Sequence, residues 1–106
     1  MAKHLEISHY SADVVLVPPR EKPAQAVRVT VFGPYFPQRA IEPELFVGEA
    51  RAYDVRISPD QHSLRGLFAQ PPPEGGLVRV IYGDSQEGTV REPFSREKIR
   101  PLPTHC

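Results

Sequence analysis

Thirteen prolines in 106 residues constrain this chain more than any other feature. They fall at 18–19, 34 and 37, 71–73, and 101 and 103, with single prolines at 23, 43, 59 and 93. An interior proline costs a helix about 3 kcal/mol, because it removes a donor and clashes with the preceding turn. The prolines lie between the apolar runs, so they punctuate short extended segments and leave no room for long helices. What survives between them is a set of β-branched stretches with a period of two.

The clearest stretch is Val27-Arg28-Val29-Thr30-Val31-Phe32, followed by Gly33-Pro34-Tyr35-Phe36-Pro37. Valines at 27, 29 and 31 put one strand face in a core. Gly33 and Pro34 then break the ladder, and Tyr35 and Phe36 are expected to plug one end of that core. The other expected strands are Ala12–Val17, Leu45–Gly48, Arg51–Ile57, Leu64–Ala69, Leu77–Tyr82 and Thr89–Glu92. Leu77–Tyr82 is the most apolar and should be central. In Arg51–Ile57, Tyr53, Val55 and Ile57 should share one face and Arg56 the other. Ser58–Ser63, Glu74–Gly76 and Gly83–Gly88 read as turns.

About seven short antiparallel strands with turn signals every eight to twelve residues form the pattern of an all-β sandwich. The expected organisation is a flexible arm or edge strand over 1–11, one domain over 12–94, and a charged tail over 95–106 anchored by Ile99 and Leu102. The length suits one modest core.

The order of features from Val27 to Phe94 resembles the IPT/TIG family of immunoglobulin-like domains. Gly33-Pro34-Tyr35-Phe36 stands for that family's G-x-x-F turn, and Phe46-Val47-Gly48 for its short strand ending in glycine. Ala52 and Val55 follow at strand spacing. The stretch from Ser58 to Pro71, the Gly75-Gly76 turn and the final hairpin complete the series. The proline-glycine segment that usually leads into the first long strand is absent. The resemblance implies an immunoglobulin-like, TIG-type β-sandwich. It does not imply one function, because members serve as DNA-contacting modules, receptor pieces and neighbours of carbohydrate-active domains.

Charge and cysteine content narrow the classes. Thirteen basic and thirteen acidic residues cancel, so no global field steers the chain to nucleic acid or an anionic membrane. Cys106 is the one cysteine, so no intramolecular disulfide forms, and a lone thiol suits a reducing compartment. Residues 1–6 carry no apolar signal region and no run reaches the ~20 residues of a membrane helix. A cytoplasmic protein is the expectation, with a leaderless mature secreted form as the alternative.

Catalytic motifs do not hold up in context. Gly83-Asp84-Ser85 matches an esterase nucleophile box in letters, but it sits in an expected hairpin turn and not on a strand-to-helix elbow. Asp60 and His62 share a turn, and none of His4, His9, His62 and His105 pairs at a metal-ligand spacing on an expected element. No enzyme activity, metal or cofactor is expected. Arg100-Pro101-Leu102-Pro103 matches the start of a polyproline ligand and reads as a stiff terminus.

Ten of the thirteen basic residues are arginine, which suits bidentate contacts. The expected binding site is a patch of Arg79, Ile81 and Arg91 on the outer face of the final hairpin. Arg56 joins it if its strand borders that sheet. An exposed Ile among arginines fits a protein interface. The expected function is therefore a non-catalytic immunoglobulin-like interaction module that binds a protein partner or itself. The alternative is nucleic-acid binding by loop arginines Arg20, Arg39 and Arg51, or a small metal- or ligand-binding domain.

Overall fold

The computed structural model describes residues 3–4, 6–17, 24–36, 42–82 and 86–101. These form ten strands and one 3-10 turn, with no α-helix among the described residues. The strands are β1 (Lys3–His4), β2 (His9–Val17), β3 (Ala24–Phe32), β4 (Glu44–Val47), β5 (Ala50–Arg51), β6 (Tyr53–Ile57), β7 (Ser63–Phe68), β8 (Val78–Tyr82), β9 (Gln86–Thr89) and β10 (Ile99–Arg100). The 3-10 turn spans Arg96–Lys98.

They assemble into two five-stranded sheets. Sheet I runs β1-β9-β8-β4-β5 and sheet II runs β10-β2-β3-β7-β6. The core between them follows from the alternation already visible in the sequence. Val27, Val29 and Val31 of β3 face Leu45 and Val47 of β4 and Val78, Val80 and Tyr82 of β8, all buried in one cluster. Gly66 marks how closely the sheets approach, since a Cβ there would lie 3.1 Å from Leu45 Cδ2. The most apolar strand, β8, is the centre of its sheet, and β3 is the centre of the other. No helix among the described residues is long and apolar enough to cross a membrane.

The Gly33–Phe36 turn closes one end of this core. Phe36 is fully buried and Val29 likewise, both at 0% exposure. The turn is stitched to Ser58–Ser63: Phe36 N–H donates to Gln61 O at 2.7 Å, Gly33 N–H to His62 O at 3.1 Å, and Gln61 Nε2 to Phe36 O at 3.1 Å. Tyr35 does not join Phe36 in the plug. It is 56% exposed, because the turn points only one of two successive aromatics inward.

Three further features differ from expectation. Asp54 adopts a positive φ of 51°, and the β6–β7 register shifts between Tyr53 and Arg56. This bulge inserts a residue, so Tyr53 turns to the outer face while Val55 and Ile57 pack inward. The last long strand is Gln86–Thr89, three residues before the expected Thr89–Glu92. Its inward positions are Gly88, opposite Val80, and Val90 just past its end. Short segments near both termini are built into the sheets. Lys3–His4 pairs in parallel with β9, and Ile99–Arg100 pairs in parallel with β2, so the ladder is not wholly antiparallel. These pairs cover parts of two edges that would otherwise offer unpaired backbone groups. Tyr10 fixes the C-terminal crossing: its OH donates to Pro93 O at 3.2 Å and accepts from Ser95 N–H at 2.8 Å.

Candidate functional site

The candidate residues divide between the two outer sheet faces. On sheet I, Arg79 and Ile81 point away from the core because their neighbours Val78, Val80 and Tyr82 point into it. Ile81 is flanked by Glu44 and Glu87, its direct partners on β4 and β9. Arg79 lies over the Phe46 ring, 5.4 Å from its centroid, and 3.8 Å from Glu87 Oε1. Arg51 is 3.5 Å from Glu44 Oε1. The isoleucine is therefore bracketed by carboxylates, and the arginines around it carry counter-ions.

Arg91 does not stand across from or diagonal to Ile81. With Ile81 opposite Glu87 and Arg79 opposite Thr89, Arg91 lies two residues beyond the end of β9, exposed in a bend. Arg56 belongs to sheet II. Of Arg79, Ile81, Arg91 and Arg56, the first two share one face of β8, Arg91 lies past the end of β9, and Arg56 is on the other sheet. The described part of the tail does not lie over them, since Ile99 pairs on the opposite sheet.

Arg56 has different company. On the outer face of sheet II it stands directly opposite Arg65 of β7. Arg65 in turn pairs with Thr30 of β3, and the same strand contributes Arg28. Asp13 of β2 holds Arg28 by two hydrogen bonds, Nε to Oδ1 at 3.1 Å and Nη2 to Oδ2 at 2.7 Å. Arg56 Nε donates to Asp54 Oδ1 at 3.0 Å, a carboxylate supplied by the bulge. Arg65 has no carboxylate within ion-pair distance among the described residues.

Two contiguous depressions share these three arginines. One, of about 450 Å³, adds Thr30, Ser58 and Ser63. The other, of about 280 Å³, adds Val15, Leu16 and Leu67. Leu16 is 54% exposed and Tyr53, opposite Leu67, is 44% exposed, so the apolar end is open to solvent. At a third side His9 stacks on Phe32 with ring centroids 4.6 Å apart, and Arg100 closes the rim.

No protein-family model, curated protein or solved structure matches this chain.

The remaining candidates are quickly placed. Asp60 accepts from Ser58 Oγ at 2.5 Å and from His62 N–H at 3.1 Å. The Ser58 hydrogen bond, then that of His62, holds its carboxyl below the usual aspartate range. His62 Nδ1 is 2.9 Å from Pro34 O, and because a carbonyl only accepts, that nitrogen carries the proton. Asp60 and His62 thus close turns. No group of three His, Cys, Asp or Glu side chains converges among the described residues. Ser85, Cys106, His105, Leu102, Arg20 and Arg39 lie outside the described residues, as does the His4 side chain.

Arg28 and Arg65 were absent from the expected site. Their outward direction was readable, since Val27 and Val29 flank one and Leu64 and Gly66 the other. Their meeting was not, because it depends on β3 and β7 becoming neighbours across more than thirty residues of chain.

Proposed function

We propose that this chain is a non-catalytic interaction module of immunoglobulin-like, TIG-type architecture that contacts a protein partner through the outer face of sheet II. The architectural part rests on strand order. Lettering β2 to β9 as A, B, C, C′, D, E, F and G turns the sheets into A-B-E-D and C′-C-F-G. That is the partition of immunoglobulin-like sandwiches.

The observation that carries the contact is the open apolar strip of Val15, Leu16, Leu67 and Tyr53 beside three arginines. An interface needs this combination: apolar area to remove from water, and arginines to fix orientation. On the outer face of sheet I, Glu44 and Glu87 flank Ile81 and pair with Arg51 and Arg79, so its arginines are already answered. Self-association through the sheet II face is disfavoured, because a two-fold contact sets the same arginines near one another.

Two measurements test the reading. An amide-shift titration against a short DNA duplex, simple glycans and divalent metals is expected to show no saturable change. A photo-crosslinking residue at position 67 is expected to give a discrete polypeptide adduct in the native host, and the same residue at position 81 none. Saturable shifts with DNA, or equal adducts at both positions, would contradict the proposal.

A further inference from the structure

We infer that the groove formed by Arg28, Arg56 and Arg65 receives an oxyanion, the carboxylate or phosphoryl group of an acidic segment of that partner. This rests on the protein-contact reading above and names the chemistry of the partner.

The first argument is an electrostatic cost left standing in the fold. Arg56 and Arg65 are direct cross-strand partners, and like charges so placed oppose pairing. Nothing in the sheet requires an arginine at 65, an exposed outward position where a threonine or glutamate would pair better. Asp54 answers Arg56 only, and Asp13 answers Arg28 only. An anion between the two strands removes the repulsion and supplies the missing partner of Arg65.

The second argument is donor geometry. Asp13 occupies the Nε–Nη2 edge of Arg28, which holds the guanidinium in place and leaves Nη1 outside that pair. The hydroxyl-bearing side chains of Thr30 and Ser63 line the same depression. Arginine forks with adjacent hydroxyls are the donor set that recognises planar carboxylates and tetrahedral phosphates. The apolar depression continues from the same arginines toward Leu16 and Leu67, so the fitting ligand carries apolar groups next to its charge. A peptide segment meets that requirement and a free anion does not.

The third argument is charge complementarity. On this face Arg28, Arg56, Arg65 and Arg100 stand against Asp13 and Asp54, so four positive charges against two negative leave two uncompensated. That balance suits one oxyanion. It suits a nucleic-acid strand poorly, because affinity there grows with the number of phosphates neutralised, and Asp13 and Asp54 repel the neighbouring ones.

The test uses the full chain, labelled with ¹⁵N, and reads arginine Nε–Hε and backbone amide resonances. The probes are an octapeptide alternating Glu and Leu, the same peptide with one central phosphoserine, a Gln-for-Glu version, inorganic phosphate, and a twelve-nucleotide oligothymidylate. Both acidic peptides are expected to shift Arg28, Arg56 and Arg65 and the amides of Thr30 and Ser63 saturably, and the Gln peptide is not. Arg65→Glu is expected to weaken acidic-peptide binding at least tenfold. It should melt no lower than the wild type, since it removes the Arg–Arg opposition, so lost binding is not lost folding. Equal shifts with the Gln peptide, or unchanged affinity in Arg65→Glu, would overturn the inference. So would oligothymidylate binding more tightly than either peptide, or phosphate alone binding as tightly as the phosphopeptide. If crosslinking at position 67 persists while the acidic peptides fail, the contact face stands and only the oxyanion assignment falls.

Discussion

Single side chains decide whether the two sheets can meet. Gly66 faces inward on β7, beside the central strand of sheet II, and a Cβ there would lie 2.6 Å from Ala52 Cβ and 3.1 Å from Leu45 Cδ2. The Ala52 Cβ is fixed to its backbone and cannot rotate aside, so Gly66→Ala forces backbone movement. We expect a loss of about 1–3 kcal/mol, the usual range for overpacking, read as a lower urea midpoint with unchanged slope. Tyr10 acts by a different route. Its OH bridges Pro93 O and Ser95 N–H, so Tyr10→Phe leaves a carbonyl and an amide without their partner. A cost of about 1 kcal/mol is expected, with faster hydrogen exchange at Ser95, and no change at Ser95 would show that the bridge is dispensable. At Asp60 the sign follows from its lowered pKa, whose largest cause is the Ser58 hydrogen bond. A carboxyl with a folded pKa below its unfolded one stabilises the fold above the unfolded value. That contribution is lost as pH falls through the lower, folded value. Asp60→Asn should therefore flatten the acid limb of the stability profile and leave its neutral region similarly shaped. An unchanged acid limb would remove Asp60 from the account.

Among the elements, β7 carries a tension that the sequence alone does not display. Opposed arginines on β6 and β7 weaken that pair by roughly 0.2–1 kcal/mol relative to neutral residues. Arg65→Thr should raise the chemical-denaturation stability by that order, and a destabilised variant would mean that Arg65 has a structural partner. The long strands were legible because Val27, Val29 and Val31 alternate with Arg28 and Thr30, and because Val78–Tyr82 is an apolar run broken only by Arg79. Others were not, each for a physical reason. Gln86–Thr89 has no apolar side chain to mark its inward face, since Gly88 fills that position. Tyr53 alternates correctly with Val55 on paper, but the Asp54 bulge breaks the period and turns it outward. Two-residue strands such as Lys3–His4 and Ile99–Arg100 are too short to hold a period at all.

Across the whole molecule, the chain changes sheets five times between successive strands, and the three crossings that involve edge strands join the sheets laterally. Ala52 carries the chain from β5 in sheet I to β6 in sheet II, buried and hydrogen-bonded through its N–H to Leu45 O at 2.9 Å. The β1–β2 and β9–β10 connections make the other two edge crossings. With the sheets joined at both lateral sides, we expect unfolding as one cooperative unit, seen as coincident transitions for Tyr10 on sheet II and Tyr82 on sheet I. Separate transitions would divide the molecule into two independent sheets. The same strand order brings Arg28, Arg56 and Arg65 into one groove from three strands, and no local pattern encodes that order. This is why the candidate site was only partly legible: Arg56 was found for its outward direction, and its partners emerged only from the topology.

The most direct measurement is a shift map of the full chain titrated with the alternating Glu/Leu octapeptide. Saturable changes confined to Arg28, Thr30, Arg56, Ser63 and Arg65, with none at Phe46, Arg79 or Ile81, are what the account predicts. Changes centred on Arg79 and Ile81, or no saturable change on either face, would contradict it.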